Sequence, residues 1–427
     1  MKRHCHYFFG ALLCLVAQSV TASNPGEVPP THHINENLQD LVKVEKLVAS
    51  AEADLNAKAF STPEAMEAKQ RNVLGALQAL ATTSAFAGDT DGAIAAFDRK
   101  SRLEEQFYGA KVIGDERADL ARINGSHAED AVDAIGRAAR DRQLVILNEA
   151  HHVPFDRVFA MRLARALRKE GFQYLACETF FIDDEHVLGN GYVAEKTGVY
   201  SREPMFVQFL MDAQKDGWKF VSYEPDVPGN LRESGMARNL VQRIFSIDAK
   251  AKVFVYAGYS HAKKVPASKK DNDESKLAAQ LRRLTGIDPL TINQTTLYKH
   301  YDSEQQSRYY ALAVKKLRSR QPAVLMDAQG KPIKLGIDDL AYDFEVVHPT
   351  YERDAVTGRY EWTNALPAQP RDIPRELLPA KGRRLVYAYR SASAADAAPY
   401  DVVLLKPGEP IPKFLLPAGD FVFEAED

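Results

Sequence analysis

Cysteine is scarce in this 427-residue chain, which contains only Cys5, Cys14 and Cys177. The first two lie in an N-terminal stretch that we expect to be cleaved, so the mature chain would keep one thiol and could not form an intramolecular disulfide. Its stability must then come from a packed core, and a chain of this length has enough residues to bury one. Cys177 lies inside a predicted strand, and we interpret it as a core residue rather than a nucleophile.

Clusters of positive charge are also lacking. The net charge is −3 and the basic residues are scattered along the sequence. This pattern argues against a nucleic-acid partner. With 45% hydrophobic and 26% charged residues, the composition is typical of an ordinary globular protein.

Long apolar runs are absent except for one, at residues 7–20. Lys2 and Arg3 precede this run, and the small residues Thr21 and Ala22 follow it. This is the pattern of a secretory signal peptide cleaved after Ala22, and the run is short for a membrane span. We therefore expect an exported protein, periplasmic or secreted, with no transmembrane segment in the mature chain.

Composition and hydrophobic pattern divide the chain into six segments. They are a signal peptide (1–22), a polar leader predicted to be disordered (23–36), an alanine-rich helical region (37–125), an α/β domain (126–365), a linker with four prolines (366–379) and a small module of short β-strands (380–427). The sequence does not disclose the role of the first helical region or of the last β module.

Short apolar runs alternate with amphipathic helical patterns in the α/β domain. The apolar runs predict strands at residues 143–147, 174–177, 219–223 and 252–256, and helices fill the intervals between them. A further helix, Glu129–Arg140, is predicted before the first strand. Such alternation is typical of βαβ units. The sequence therefore predicts an α/β fold in which a largely parallel sheet carries helices on both faces.

Acid/base side chains follow each of these four predicted strands. They are Glu149 with His151 and His152, then Glu178, Glu224 and His261. Because the carboxyl ends of parallel strands meet at one edge of a sheet, we expect these groups to converge in one crevice. Such a set can bind a divalent metal through mixed nitrogen and oxygen ligands. Alternatively, crowded carboxylates raise one another's pKa and leave one poised as a base, with histidine as proton shuttle. Arg232 would offset the excess negative charge or bind a substrate anion.

Four short motifs in this region resemble those of a known superfamily. They are Asn148-Glu149-Ala150-His151-His152, Glu178, Arg232-Glu233-x-x-Met236-Ala237-x-Asn239, and Ala257-Gly258-x-x-His261. In type and order they are similar to motifs of the superfamily that contains erythromycin esterases, ChaN-like haem-binding proteins and TIKI-type metalloproteases. The resemblance covers residues 126–295, and Asn148 stands where the superfamily usually has glycine. In the esterase pattern two residues separate the glutamate from the histidine, which points to His152. In the ChaN-like pattern one residue separates them, which points to His151.

The resemblance to esterases implies a hydrolase that cleaves ester or amide bonds in a small-molecule or peptide substrate. The implied catalytic residues are Glu149, His151, His152, Glu178 and His261, and the implied substrate-binding residues are Glu224 and Arg232. A histidine of the first turn would activate water together with Glu149, and His261 would act as an acid or stabilise the oxyanion. If a divalent metal is required, its implied ligands are Glu149, His151, Glu178 and His261.

The resemblance to ChaN-like proteins implies a different function, a haem- or iron-binding uptake protein without catalysis. Tyr259 would then be a candidate haem ligand. A second candidate set is His300 with Tyr298 and Tyr301, although an amphipathic surface strand is an alternative interpretation of that stretch. A third hypothesis treats the helical region and the β module as interaction surfaces on either side of a degenerate site.

Overall fold

The structure is a computed structural model that describes residues 36–57, 62–109, 115–180, 188–189, 191–264, 276–336, 341–391 and 393–427. The predicted signal peptide, and all of the predicted leader except its last residue, lie outside the described residues. In the described part of the chain, no helix combines the length and the apolar character that a membrane crossing needs.

The predicted helical region contains four helices. They are α1 (Asn37–Asn56), α2 (Pro63–Phe86), α3 (Thr90–Tyr108) and α4 (Glu116–Gly125). Thr62 accepts a hydrogen bond from the backbone of Ala65 and so caps α2, and Asp89 caps α3 in the same way. The first three helices pack against one another around a small core that includes Val73 and Leu77.

Eight strands of the described chain form the main sheet. They are β1 (His127–Asp130), β2 (Leu144–Glu149), β3 (Tyr174–Cys177), β4 (Lys219–Val221), β5 (Val253–Gly258), β6 (Leu290–Leu297), β7 (Ala323–Met326) and β8 (Phe344–Val347). Their order is β1-β7-β8-β6-β2-β5-β3-β4. Every pair from β8 to β4 in this order is parallel, whereas β7 runs antiparallel to both of its neighbours. The predicted α/β class with a largely parallel sheet is therefore confirmed.

The strand order reverses around β2. After β4 the chain returns to insert β5 between β2 and β3, and it then adds β6 on the other side of β2. In open α/β sheets such a reversal opens a crevice at the carboxyl ends of the strands.

Helices cover both faces of the sheet. They are α5 (Ala131–Ala139), α6 (Pro154–Lys169), α7 (Pro204–Lys215), α8 (Arg232–Leu240), α9 (Leu277–Thr285) and the short α10 (Tyr310–Ala313). Val145 and Leu147 of β2 pack on the side of α5, α6 and α7. Leu144 and Ile146, which alternate with them along the strand, pack on the side of α8 and α9.

One predicted boundary is wrong. We expected a helix to begin at Glu129, but Glu129 and Asp130 belong to β1, which pairs with β7. The Asp130 side chain then caps α5, because it accepts hydrogen bonds from the backbone of Val132 and Asp133.

The C-terminal strands form two small antiparallel sheets. The strands are β9 (Gln369–Arg371), β10 (Arg384–Arg390), β11 (Asp401–Leu405), β12 (Phe414–Leu416) and β13 (Phe421–Glu426). The first sheet has the order β11-β10-β13, and the second pairs β9 with β12. The stretch predicted as a linker, 366–379, contributes β9 to this module, and its Leu366 and Ile373 join the main core. Glu426 accepts hydrogen bonds of 2.9 Å from the backbone of Leu38 and Gln39, which fastens α1 to the module.

Candidate active site

The turn after β2 is held by backbone hydrogen bonds. The Ala150 N–H donates to the Asp156 carboxylate at 2.8 Å, and the Val153 N–H donates to the Ala150 carbonyl, also at 2.8 Å. Pro154 occupies the first turn of α6, where its missing N–H costs nothing. This turn places His151 at the carboxyl edge of the sheet.

Four buried polar residues form what we call the inner cluster: Glu149, His151, Arg157 and Glu203. His151 Nδ1 lies 2.7 Å from Glu149 Oε1, and Arg157 Nε donates to the other oxygen of Glu149 at 3.0 Å. Arg157 also lies 2.9 Å from Glu203 Oε2 and donates to the His151 carbonyl at 2.9 Å. Burial alone would raise the pKa of Glu149, but Arg157 and His151 outweigh it and lower that pKa to about 2. Glu149 is therefore ionised in a nearly dry environment.

Two tyrosine rings enclose the His151 imidazole. Tyr200 stacks on it with a centroid separation of 4.0 Å, and Tyr259 meets it edge-on at 5.0 Å. Tyr259 has a positive φ of 42°, a conformation that L-residues rarely adopt. Strained residues of this kind cluster at functional sites, where the surrounding structure holds them in place.

Five residues form what we call the outer cluster: Glu178, Glu224, Arg232, Glu233 and His261. Glu178 follows β3, Glu224 follows β4 and His261 follows β5, as the sequence predicted. Arg232, the first residue of α8, donates to Glu178 at 2.6 Å and to Glu224 at 2.8 Å. This cluster is more open than the inner one, since 30% of the Glu224 side chain is exposed to solvent.

The His261 imidazole lies between two carboxylates and a guanidinium. Its Nδ1 lies 2.9 Å from Glu233 Oε2, and its Nε2 lies 3.5 Å from Glu178 Oε1 and 3.1 Å from Arg232 Nη1. Burial alone would lower the pKa of His261, but Glu178 and Glu233 outweigh it and raise that pKa to about 9. The two carboxylates therefore favour the protonated ring, whereas the contact with Arg232 Nη1, which can only donate, requires an unprotonated Nε2. In return, His261 and Arg232 overcome the effect of burial and hold the pKa of Glu178 well below its usual range.

Gly258 joins the two clusters. A Cβ at this position would lie 2.4 Å from His151 Cε1 and Nε2, and 3.0 Å from Glu178 Oε2. The Gly258 N–H also donates to Glu178 Oε2. The imidazole of one cluster and the carboxylate of the other therefore approach each other across an α-carbon that carries no side chain.

His152 points away from both clusters. Its ring stacks on Phe97 of α3 with centroids 3.9 Å apart, and its two nitrogens lie 3.3 Å from the Tyr259 hydroxyl and 3.5 Å from the Tyr298 hydroxyl. Burial, followed by the positive charges nearby, lowers the pKa of His152 well below its usual range. Of the two neighbouring histidines, the structure brings His151 into contact with Glu149.

The predicted metal and haem ligands are arranged differently from a coordination sphere. No three His, Cys, Asp or Glu side chains of the described residues are grouped as they would be around a metal ion. Instead, guanidinium groups lie between the carboxylates, Arg157 in the inner cluster and Arg232 in the outer one. The rings of Tyr298 and His300 stack with centroids 4.4 Å apart, and His300 Nδ1 lies 2.6 Å from Asp98 Oδ1.

Several residues of the site were not predicted as site residues from the sequence, namely Arg157, Tyr200, Glu203 and Glu233. Arg157 had a usable signal, because it lies four residues before Met161 and so shares the apolar face of α6. Glu203 caps α7 by accepting a hydrogen bond from the Phe206 N–H, and this local role does not reveal its contact with Arg157. Tyr200 lies in a short 3₁₀ turn with no periodic pattern.

Comparisons with known proteins leave the family open. No protein-family model matches the sequence, and neither does any curated protein. Among solved structures, the type III effector HopBA1 is 16% identical over 41% of this chain and 85% of its own, with a TM-score of 0.28. A structure described as bacterial protein toxins is 13% identical over 64% of this chain and 68% of its own, with a TM-score of 0.31. RRSP, a MARTX toxin effector domain from Vibrio vulnificus CMCP6, is 14% identical over 62% of this chain and 65% of its own, with a TM-score of 0.28. Similarity at this level carries no argument about function.

Proposed function

We propose that this chain is an exported hydrolase of ester or amide bonds that acts in the periplasm or outside the cell. The observation that carries the proposal is the contact between the two clusters. His151, fixed by the Glu149 carboxylate at 2.7 Å, meets Glu178 of the outer cluster across Gly258, and Arg232 and His261 contact that same carboxylate. A basic imidazole and a guanidinium that share one carboxylate neighbour can supply the base and the cation that acyl-group hydrolysis uses.

His151 is the general base in this mechanism. Its Nδ1–H donates to Glu149, so the basic nitrogen is Nε2, which lies on the side of Gly258 and Glu178. Nε2 takes a proton from a water molecule as that water attacks the substrate carbonyl. Glu149 then stabilises the imidazolium that forms, and Arg157 keeps Glu149 ionised.

Arg232 and His261 supply positive charge where negative charge develops. As water attacks, the carbonyl oxygen becomes an oxyanion, and both groups lie beside Glu178, with Arg232 Nη1 3.1 Å from His261 Nε2. His261 also carries a proton at neutral pH that it can give to the leaving group. Substrate would approach from the side of Arg232 and Glu224, whose side chains are 23% and 30% exposed.

A panel of p-nitrophenyl esters and p-nitroanilides tests the proposal. We expect turnover of at least one member by the purified protein, and loss of that turnover in His151→Ala. His127, an exposed histidine on β1, supplies the matched control, since His127→Ala should retain full activity. His152→Ala should lose less than about tenfold, because His152 touches neither cluster.

Three results would contradict this mechanism. The first is a folded protein that turns over no member of the panel. The second is stoichiometric uptake of haemin without hydrolysis, which would support the haem-binding alternative. The third is turnover that a chelator abolishes and a divalent ion restores, because water activation would then belong to the metal.

A further inference from the structure

A concave site lies outside the two clusters. This cleft has a volume of about 300 Å³, and five of the side chains that line it are aromatic: Phe155, Tyr301, Tyr351, Tyr360 and Trp362. We call it the aromatic cleft. It lies where α3, the segment after β6 and the segment after β8 meet. Ligand pockets favour such junctions, and this volume is at the lower end of their usual size range.

The aromatic rings surround the cleft without filling it. Phe155 lies 5.3 Å from Tyr351 and 6.5 Å from Trp362 between ring centroids, at tilted angles. Tyr360 lies 6.4 Å from Trp362 in a nearly parallel orientation. A flat ligand in the cleft would add dispersion contacts with the rings that line it.

His300 offers a hydrogen-bond acceptor in the cleft wall. Its Nδ1 lies 2.6 Å from the buried carboxylate of Asp98, which also accepts a hydrogen bond from the Asp302 N–H at 2.8 Å. This contact places the proton on Nδ1 and leaves Nε2 as an acceptor. Within the described residues, no group donates to Nε2. A ligand that enters the cleft can therefore donate to it.

The cleft is lined by one carboxylate and one lysine, Asp91 and Lys299. Asp91 lines it but is already neutralised by Arg353, at 2.7 Å, and by a hydrogen bond from the Tyr360 hydroxyl. Lys299 lines it too, is exposed, and has no ion pair among the residues that the structure describes. The charge that remains is suited to an anionic group on a ligand.

We propose that the aromatic cleft binds a planar aromatic carboxylate of one or two rings that carries a hydrogen-bond donor. The ring stacks against Trp362 and its neighbours, the donor reaches His300 Nε2, and the carboxylate pairs with Lys299. The cleft shares no residue with the inner or outer cluster. Ligand binding in the cleft can therefore be tested independently of the proposed hydrolysis.

Tryptophan fluorescence provides the test, because the chain has only two tryptophans, Trp218 and Trp362. In Trp218→Phe, a conservative change in the core, all tryptophan emission comes from Trp362. We expect 4-hydroxybenzoate to change this emission saturably, and calorimetry on the unmodified protein to give the same affinity. Two ligand controls should bind at least about tenfold more weakly: 4-hydroxycyclohexanecarboxylate, which is not planar, and methyl 4-hydroxybenzoate, which has no charge.

Protein variants separate the site from non-specific binding. Lys299→Met should weaken binding about tenfold, since it removes a charge-assisted hydrogen bond. Lys315→Met, which changes another exposed lysine outside the cleft, should leave the affinity unchanged. The proposal is overturned if 4-hydroxybenzoate does not bind, if the saturated acid binds equally well, or if the two lysine variants behave alike.

Discussion

The inner and outer clusters share one arrangement of charged side chains but differ in their exposure to solvent. Each has an arginine between two glutamates: Arg157 lies between Glu149 and Glu203, and Arg232 lies between Glu178 and Glu224. The Arg157 side chain has no exposed surface, whereas 23% of the Arg232 side chain is exposed. The contacts of Arg157 are therefore closed to solvent, whereas those of Arg232 are partly open to it.

The two clusters also show which contact controls the charge of a carboxylate. Burial raises the pKa of Glu203 and Glu224, even though each is paired with an arginine. The pKa values of Glu149 and Glu178 fall instead, and these two carboxylates also touch a histidine, His151 or His261. A buried glutamate that is paired only with an arginine therefore has a raised pKa. When the glutamate also contacts a histidine, its pKa is lowered instead. The two carboxylates with a lowered pKa are the ones that contact His151 or His261.

The largest expected effect concerns whether the clusters act as one unit. His151→Ala and His261→Ala should each lower kcat/KM by about 10²- to 10⁴-fold, the range for a lost general base or acid. If base and acid work in the same step, the double variant should lose little more than the worse single variant. Steady-state kinetics on a substrate from the chromogenic panel measures all three. If the two single losses in kcat/KM multiply in the double variant, the clusters act independently.

The next effect separates structural from functional arginines. Arg157→Met should destabilise the protein by about 3–5 kcal/mol, because it leaves buried Glu149 and Glu203 without their cation. Arg232→Met should lower the stability by only about 1–2 kcal/mol. Glu178 would still contact His261, and the partly exposed Glu224 would still be solvated. Urea unfolding measures both. Arg232→Met should nevertheless abolish activity, and equal losses of stability would remove the distinction between the clusters.

The sequence predicts the strand-end residues of both clusters well. Glu149, Glu178 and His261 each follow a short apolar run, and a run of that kind is a local signal for a buried strand. Once the strands are parallel, their ends must share one edge, so the convergence of these residues follows from topology. The edge strand β1 was missed because His127–Asp130 has no apolar pattern, and only its pairing with β7 makes it a strand.

The supporting residues could not be predicted in the same way. Arginine is rarely buried unless it is paired, so an arginine in the first turns of α6 is ordinarily read as exposed. The partner that makes burial of Arg157 acceptable, Glu203, lies at the start of another helix, and their contact depends on how α6 and α7 pack. The positive φ of Tyr259 is also a consequence of tertiary structure, because sequence signals for that conformation come mainly from glycine and asparagine.

A smaller effect concerns the junction at Gly258. In Gly258→Ala the new Cβ would overlap the His151 ring, which Glu149 and Tyr200 hold in place. We expect a loss of about 1–3 kcal/mol in stability, the usual cost of overpacking, together with a fall in kcat. Gly75→Ala is the matched control, because nothing lies within 4 Å of a Cβ at that position in α2. That change should stabilise the protein by about 0.5–1 kcal/mol. Full activity in Gly258→Ala would show that the two clusters need not meet there.

The smallest effect is a shift in pH dependence, and it tests the charge of His261. The two carboxylates raise its pKa from 6.5 to about 9, so the protonated ring stabilises the folded state fully below pH 6.5. That stabilisation, and the rate that depends on the cation, should both decline as the pH rises through about 9. Glu233→Gln removes one of the two carboxylates and should move the alkaline limb of kcat/KM to lower pH by about one unit or more. Glu129→Gln, a change beside the exposed His127, should leave the limb in place. An alkaline limb of kcat/KM at or below pH 6.5 in the unmodified protein would contradict this prediction. It would mean that the contact with Arg232 keeps His261 neutral, so that Arg232 is the one cation of the outer cluster.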